Sequence, residues 1–207
     1  MELYRRENYL KKIRGFYHDS EMIKVITGVR RCGKSSLMQT IVEELKEQGV
    51  PEANLVFLDL DSKKHKSIKK PEQLEQEIDK LCSAEGMKYL FIDEIQNIIG
   101  FEEIINAYRG EKEYSVFITG SNSYLLSGEL ITKLTGRYIE IEMLPLSFEE
   151  YIDMKQYYGK NVSPNPTEEL DKYINEGGFP KTIFYDNPED KRTYIKNIVK
   201  EIFEKDI

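Results

Sequence analysis

The stretch Gly28-Val-Arg-Arg-Cys-Gly-Lys-Ser35 decides the fold, because it matches the pattern G-x-x-x-x-G-K-[ST] at every fixed position. The β-branched run 22–27 before it predicts a buried strand. The segment 36–46 after it places its apolar residues on one face of a helix. A chance glycine-rich turn is the alternative. The flanking strand and helix argue against it, since they are the context in which this pattern binds phosphate.

The residue types in this stretch fit the chemistry of a bound triphosphate. Gly28 and Gly33 allow close backbone approach that a Cβ would block. The loop N–H groups and the helix N-terminus then face the phosphates with partial positive charge. Lys34 is expected to reach the β- and γ-phosphates, and the Ser35 hydroxyl is expected to ligate Mg²⁺. The predicted nucleotide-binding residues of the loop are Gly28, Val29, Arg30, Arg31, Cys32, Gly33, Lys34, Ser35 and Ser36.

A second motif ends the predicted third strand. The apolar run 87–92 leads directly into Asp93-Glu94. A carboxylate at a strand tip can hold loop-bound Mg²⁺, and a carboxylate after it can orient and deprotonate an attacking water. Acidic pairs are common at strand ends. This pair becomes informative because it follows the phosphate loop by one further helix–strand–helix unit, so both motifs project from one edge of a parallel sheet.

The predicted fourth strand, 114–120, ends in the polar cluster Thr119-Gly-Ser-Asn-Ser123. Ser121 or Asn122 could hydrogen-bond the γ-phosphate or the attacking water, and Asn122 is the catalytic candidate of the pair. An ordinary turn is the alternative, since glycine, serine and asparagine favour turns in any case.

Arg137 stands just before a fifth predicted strand, 138–144. Three roles are open to it. It could stabilise charge on the γ-phosphoryl group in its own chain, do so in a neighbouring chain, or pair with surface carboxylates.

The composition narrows the class of protein. A formal net charge of −7 over 207 residues opposes a free-standing nucleic-acid binder. Two cysteines at no metal-ligand spacing indicate a reduced, cytoplasmic setting. The sequence has neither a signal-peptide pattern nor an apolar run long enough to span a membrane, so no membrane partner is expected.

Two segments near the motifs have open roles. Residues 3–16 predict a short amphipathic helix, from which Tyr9 or Arg5 could approach the base, although packing on the sheet is favoured. The basic loop from Lys63 to Lys70 could contact a polyanion, but a solvated loop is favoured, with His65 facing solvent.

The C-terminal part, 146–207, predicts a small helical lid on a core of residues 1–145. Gly177-Gly178-Phe179-Pro180 breaks two of its helices, so Phe179 or Pro180 could pack on an adenine ring, with packing between helices as the alternative. The last helix stays amphipathic almost to Ile207, which favours a chain cut from a longer protein over an end packed on the lid.

These motifs resemble, in order and spacing over residues 1–185, the prokaryotic AAA-type ATPases of uncharacterised role that are related to the archaeal ATPase group. The resemblance rests on Gly28-Val-Arg-Arg-Cys-Gly-Lys-Ser-Ser-Leu37, Phe91-Ile-Asp-Glu-Ile-Gln96, Thr119-Gly-Ser-Asn-Ser123, Gly136-Arg137 and Pro145-Leu-Ser-Phe-Glu-Glu150.

The resemblance implies an α/β P-loop NTPase with a five-stranded parallel sheet in the order 5-1-4-3-2. It implies ATP with Mg²⁺, a Walker A loop at 28–35, Walker B residues Asp93 and Glu94, and a sensor at Ser121 or Asn122. The lid element ending in Pro180 is similar to the Gly-x-Pro element of signal-transduction ATPases, whose proline lies against adenine. Members usually continue into a C-terminal domain, so a DNA or protein partner would act through that missing part.

Three functions are compatible with these residues. The first is an ATPase that acts as a nucleotide-driven switch and can form homo-oligomers. The second is a scaffold that binds ATP, scarcely hydrolyses it and gates a DNA- or protein-binding module. The third is a small-molecule kinase, for which no acceptor pocket pattern is present. Intact Glu94 favours the ATPase.

Overall fold

A single sheet of five parallel strands organises the protein. The computed structural model describes residues 2–82, 84–120, 134 and 136–205. The strand order β2-β3-β4-β1-β5 is the predicted order read from the opposite edge, so the predicted α/β fold is confirmed. The strands are β1 (Ile23–Gly28), β2 (Leu55–Asp59), β3 (Lys88–Asp93), β4 (Tyr114–Thr119) and β5 (Tyr138–Met143).

Helices cover both faces of the sheet, which is why the strands read as continuous apolar runs. Successive residues of β1 serve opposite faces. Val25 packs in the core under α3 and α4, whereas Ile26 packs in the core under α1 and α2. These helices are α1 (Glu7–Ile13), α2 (Lys34–Glu47), α3 (Pro71–Leu81) and α4 (Phe101–Gly110).

The C-terminal part forms a small helical unit with its own apolar cluster of Leu146, Tyr151, Met154 and Ile183. Its first helix opens with a capping box in which Ser147 and Glu150 each accept the other's backbone N–H, at 3.2 and 3.0 Å. The unit comprises α5 (Phe148–Tyr157), α6 (Pro166–Glu176), a 3-10 turn (Pro180–Phe184) and α7 (Pro188–Lys205).

The N-terminal segment departs from the predicted helix over 3–16. Helix α1 covers only Glu7–Ile13, and a 3-10 turn follows at Arg14–Phe16. Residues 2–6 have no regular structure and lie against the helical unit, where the Tyr4 backbone N–H donates to the Tyr158 hydroxyl at 3.0 Å. This contact holds the segment in place without helical hydrogen bonds.

The basic loop from Lys63 to Lys70 corrects one expectation. Its lysines at positions 63, 64, 66, 69 and 70 are exposed, but His65 is only 6% exposed, so the prediction that His65 faces solvent was wrong. Nδ1 of His65 lies 3.2 Å from the Asp59 carbonyl oxygen and 3.3 Å from the Ser62 hydroxyl, which turns the ring inward. Along the part of the chain that the structure describes, no helix is both long and apolar enough to cross a membrane.

Candidate nucleotide-binding site

The phosphate loop begins where β1 ends, and its first glycine has a steric reason. Gly28 has φ of 144°, and a Cβ there would lie 2.3 Å from the Met143 carbonyl oxygen and 2.9 Å from Cys32 Sγ. No side chain fits in that space. Cys32 itself is buried, and burial raises the pKa of its thiol. Its side chain therefore packs in the core, which leaves only its backbone for a ligand.

Lys34 stands at the start of α2 with its charged end folded over the loop. The side chain is 4% exposed, and Nζ donates to the carbonyl oxygens of Gly28 at 2.9 Å and Val29 at 3.3 Å. Both of these acceptors are neutral, and the carboxylates of Asp93 and Glu94 act on the ammonium at longer range. The arrangement therefore favours a nearby anion.

Asp93 lies beside Ser35 where β3 and the phosphate loop meet; these are the two residues that the sequence analysis expected to hold Mg²⁺. The Asp93 carboxylate ends β3 and accepts a hydrogen bond from the Thr119 hydroxyl, and the Ser35 hydroxyl lies close to it. Burial raises the pKa of Asp93, and these two hydroxyls counteract that rise. Two oxygen ligands from separate elements thus lie together beside Lys34.

Glu94 follows in a left-handed backbone conformation with φ of 59°. Its N–H donates to the Thr119 hydroxyl at 3.0 Å, and its carboxylate accepts a hydrogen bond from the Gln96 amide. Burial raises the pKa of Glu94, and the Lys34 ammonium partly offsets the rise. A non-glycine residue in this conformation indicates that the surroundings hold it there.

A cleft of about 630 Å³ joins these residues, a volume that suits a small-molecule ligand. The phosphate loop and Glu94 form one wall. The 3-10 turn that begins at Pro180 and helix α7 form the other. The lining residues are Leu3, Arg31, Gly33, Lys34, Ser35, Ser36, Glu94, Met154, Tyr158, Pro180, Lys181, Phe184, Tyr185 and Tyr194.

A small, mostly apolar niche of about 60 Å³ shares several of these residues. Sequence reasoning placed Pro180 here but missed the N-terminal wall. Tyr9 packs in the core and Arg5 pairs with Glu47, so neither residue reaches the niche. The residues that line it are Leu3, Tyr4, Arg6, Gly33, Ser36, Leu37, Thr40, Leu146, Met154, Tyr158 and Pro180.

The pair Gly177-Gly178 before Pro180 forms a turn and also allows a close contact between two backbone segments. Gly177 has φ of 67°, and a Cβ on Gly178 would lie 2.4 Å from the Leu146 carbonyl oxygen. The Leu146 N–H donates to the Gly178 carbonyl at 2.6 Å. This close backbone contact sets Pro180 at the mouth of the cleft, where its Cγ lies 3.9 Å from the position of a Cβ on Gly33.

Two predicted site residues, Ser121 and Asn122, lie outside the described residues. A third, Arg137, is described and lies away from the cleft. Arg137 is exposed, and its carbonyl oxygen accepts from the N–H of Ile23 at 2.9 Å, at the start of β1. The loop leaves the other end of this strand, about 17 Å away at 3.3 Å per residue. The prediction that Arg137 acts on the phosphates of its own chain is therefore wrong. Arg137 precedes β5, and because the strands are parallel it lies at the end of the sheet opposite to the phosphate loop.

Solved structures share the fold. AMPPCP-bound DnaA from Aquifex aeolicus superposes with a TM-score of 0.60 at 17% identity, covering 94% of this chain and 62% of that one. Aeropyrum pernix ORC1 in complex with DNA gives 0.61 at 13%, over 88% and 58%. C. elegans PCH-2 gives 0.61 at 16%, over 97% and 70%. At these identities the likeness shows the α/β P-loop architecture.

Two curated relatives are described as uncharacterized proteins. The one from Haemophilus influenzae is 40% identical over 98% of this chain and 50% of its own length. The one from Methanocaldococcus jannaschii is 34% identical over 89% of this chain and 42% of its own length. This chain thus spans about half the length of these relatives. A family model described as AAA domain matches residues 20–152, well over half of the chain. The chain therefore belongs to the AAA domain family, as its motifs indicated.

Proposed function

We propose that this chain binds ATP with Mg²⁺ and hydrolyses the bond between its β- and γ-phosphates, acting as a nucleotide-driven switch. One observation carries the proposal. The Ser35 hydroxyl and the Asp93 carboxylate lie together beside the buried Lys34 ammonium, at a cleft that Glu94 also lines. Such a set of a cation, an oxygen pair and a base suits phosphoryl transfer to water.

The comparisons with known proteins support ATP as the ligand. The family is that of the AAA domain, and the structure of DnaA was described with AMPPCP, an ATP analogue. The niche beside the cleft supports a base-binding role for Pro180, with Leu3 and Tyr158 facing it from other segments. Flat apolar surfaces at this place suit a stacked ring.

The Ser35–Asp93 pair fits Mg²⁺ rather than a metal held by protein ligands alone. The described ranges contain no group of three or more His, Cys, Asp or Glu residues that could hold a metal. Mg²⁺ is usually bound by one or two protein oxygens together with substrate phosphates. When bound, it would neutralise charge on the phosphate oxygens.

The chain's own residues supply the remaining chemistry. Lys34 would exchange its contacts with the carbonyls of Gly28 and Val29 for phosphate oxygens, because a charged acceptor makes the stronger hydrogen bond. Glu94, whose pKa burial raises, would accept the proton of the attacking water. Ser121 and Asn122 remain proposed sensor residues.

The proposal extends to organisation. We assign the core to residues 1–145 and the lid to 146–207. Arg137 lies far from the cleft of its own chain. Its proposed catalytic role therefore requires the cleft of a neighbouring copy in a homo-oligomer. A DNA or protein partner would act through the part of the longer relatives that this chain does not match.

One observation favours the alternative, an ATP-binding scaffold with little hydrolysis. The Glu94 carboxylate is engaged by the Gln96 amide, so the base is held before any water can use it. The contact occupies Oε2, one of the two carboxylate oxygens. Gln96→Ala should therefore raise the hydrolysis rate if the contact restrains the base.

The test combines binding with turnover. MgATP at about a hundred times its Kd should add ~2.7 kcal/mol to the free energy of unfolding, and Lys34→Ala should abolish most of the resulting rise in Tm. Glu94→Gln should keep the rise in Tm and lose hydrolysis. An unchanged rise in Lys34→Ala would remove the loop from the site, and equal turnover in Glu94→Gln would favour the scaffold.

A further inference from the structure

Arg31 occupies a strained position in the phosphate loop. Its φ is 64°, in the left-handed region that glycine adopts freely and arginine does not. Among the described residues other than glycine, only Glu94 and Lys112 share a positive φ. Glycine would relieve the strain at this position, so the retained side chain points to a specific contact.

That side chain contacts helix α7, at the far end of the chain. Nη2 of Arg31 lies 3.6 Å from Oε2 of Glu201, and the guanidinium also lies close to the Tyr194 hydroxyl. Burial raises the pKa of Tyr194, whereas Arg31 lowers it. The Tyr194 ring packs against Tyr185, with centroids 5.4 Å apart. Arg31, Tyr185 and Tyr194 all line the nucleotide cleft, so this contact lies on the cleft wall.

The two halves of α7 are held differently. The first half, residues 188–196, is anchored on α6 by the Lys191–Glu176 ion pair at 2.6 Å. The second half, residues 197–205, buries Ile198 near its start and exposes Val199 and Phe203, at 40% and 66%. Arg31 joins the phosphate loop to this second half through Glu201.

The contact is weak enough to be displaced. At 3.6 Å the Arg31–Glu201 pair is longer than a good hydrogen bond, and both side chains are more than a third exposed, at 53% and 39%. Phosphate oxygens take a guanidinium through two parallel hydrogen bonds and carry more charge than one carboxylate. A phosphate in this loop therefore competes well for Arg31.

We propose that Arg31 is a nucleotide-sensitive latch: it holds α7 against the phosphate loop through Glu201 and Tyr194, and bound nucleotide phosphates take the guanidinium and loosen the helix. The proposal rests on the proposed function, because it requires a phosphate ligand in the loop. It assigns the output of nucleotide binding to the second half of α7. The device needs no movement of the sheet, since one side chain changes partner.

The first test needs no nucleotide. Hydrogen exchange of the α7 amides is compared among wild type, Arg31→Gly, Glu201→Gln and Glu204→Gln. Glu204 pairs with Lys200 on the same helix, also at 3.6 Å, but does not contact the loop, so it is the matched control. The first two variants should exchange about two- to fivefold faster in the second half of α7, the range for an exposed pair, whereas the control, which loses only a pair within the helix, should change by less than about twofold. Equal exchange in all four proteins would overturn the latch.

The second test adds MgAMPPCP, with binding followed separately by the rise in Tm. In wild type, exchange in the second half of α7 should rise toward that of Glu201→Gln, and in that variant the nucleotide should change exchange little. Binding with unchanged α7 exchange in wild type rejects the latch and leaves the nucleotide site intact. Absence of any rise in Tm rejects the proposed function instead. Because glycine tolerates the left-handed φ, Arg31→Gly is expected to fold, and Glu201→Gln tests the same contact without altering the loop.

Discussion

Arg6 and Glu150 form a buried bidentate ion pair, with Nε–Oε1 at 2.9 Å and Nη2–Oε2 at 2.6 Å. The two residues are 144 positions apart in the sequence. The remaining Arg6 donors reach backbone carbonyls of Cys32 in the phosphate loop and of Leu144 and Pro145 after β5. A single buried guanidinium thus fastens the N-terminal segment, the loop and the start of the helical unit together.

Arg6→Met should lower the free energy of unfolding by ~3–5 kcal/mol, because it leaves the buried Glu150 carboxylate without its cation. Arg5→Met is the matched control. Arg5 also pairs with a glutamate, Glu47, but both side chains are exposed, so the change should cost at most about 1 kcal/mol. Denaturant unfolding measures both. Similar losses in the two variants would show that Arg6 is not a special contact.

The acid limb of the pH–rate profile should report Glu94. A general base works only when deprotonated, so kcat/KM for ATP should fall as the pH drops through the raised pKa of Glu94, above the ordinary glutamate value of 4.5. Glu94→Gln should slow hydrolysis by roughly 10²-fold and remove that limb. A limb at or below pH 4.5 in wild type would contradict the assignment.

Pro180→Ala should weaken the binding of ATP about five- to tenfold, the effect of removing one to two buried methylene groups. The binding of inorganic triphosphate should be unaffected. Only ATP has a base to contact the niche. Pro166→Ala changes a proline at the exposed start of α6 and serves as the control. Competition for a fluorescent nucleotide gives both affinities. Equal weakening of ATP and triphosphate would place Pro180 at the phosphates.

Arg137 should act only between copies of the chain. Specific ATPase activity should then rise with protein concentration, and Arg137→Ala should lose that rise while keeping the nucleotide-dependent shift in Tm. Mixing Arg137→Ala with Lys34→Ala should restore part of the activity, since each variant supplies what the other lacks. Activity independent of concentration, with Arg137→Ala fully active, would leave Arg137 a surface residue.

Lys24 should make stability depend on pH. It is fully buried in β1, and burial lowers its pKa to about 7, whereas the unfolded chain has the ordinary value of 10.5. Between these values the unfolded state binds the proton more readily, so the free energy of unfolding should rise with pH, by about 1 kcal/mol for each pH unit. In denaturant unfolding, the free energy of unfolding of wild type should therefore increase relative to that of Lys24→Met between pH 7 and pH 10. A constant difference would refute the low pKa.

The features that could be predicted from the sequence are those that depend on a local pattern or on where a strand ends. Lys34 and Asp93 are some sixty residues apart, yet parallel strands bring their tips to one edge, so periodicity and a known motif were sufficient. The same rule, applied to the beginning of a strand, should have placed Arg137 at the opposite edge. The capping box formed by Ser147 and Glu150 is equally local, since its two residues are three apart in the sequence.

What the sequence could not show depends on which distant side chains meet. Leu3 and Tyr4 were predicted to lie in a helix over 3–16, but residues 2–6 are not helical, so the periodic pattern did not mark them as a wall of the niche. His65 lies among lysines, and only the fold reveals that a backbone carbonyl draws it inward. Arg31 sits within a recognised motif, but its positive φ and its partner on α7 are tertiary properties.

The long reach of Arg6 also bears on how the protein is made. During synthesis at about 5–20 residues per second, Arg6 emerges roughly seven to thirty seconds before Glu150. The partner carbonyls at Leu144 and Pro145 come equally late, and only Cys32 is available early. The N-terminal segment must therefore remain undocked on the ribosome while the sheet forms. The wall of the niche is then among the last parts to assemble, so a nascent chain is not expected to hold the base of a nucleotide until its helical unit has emerged.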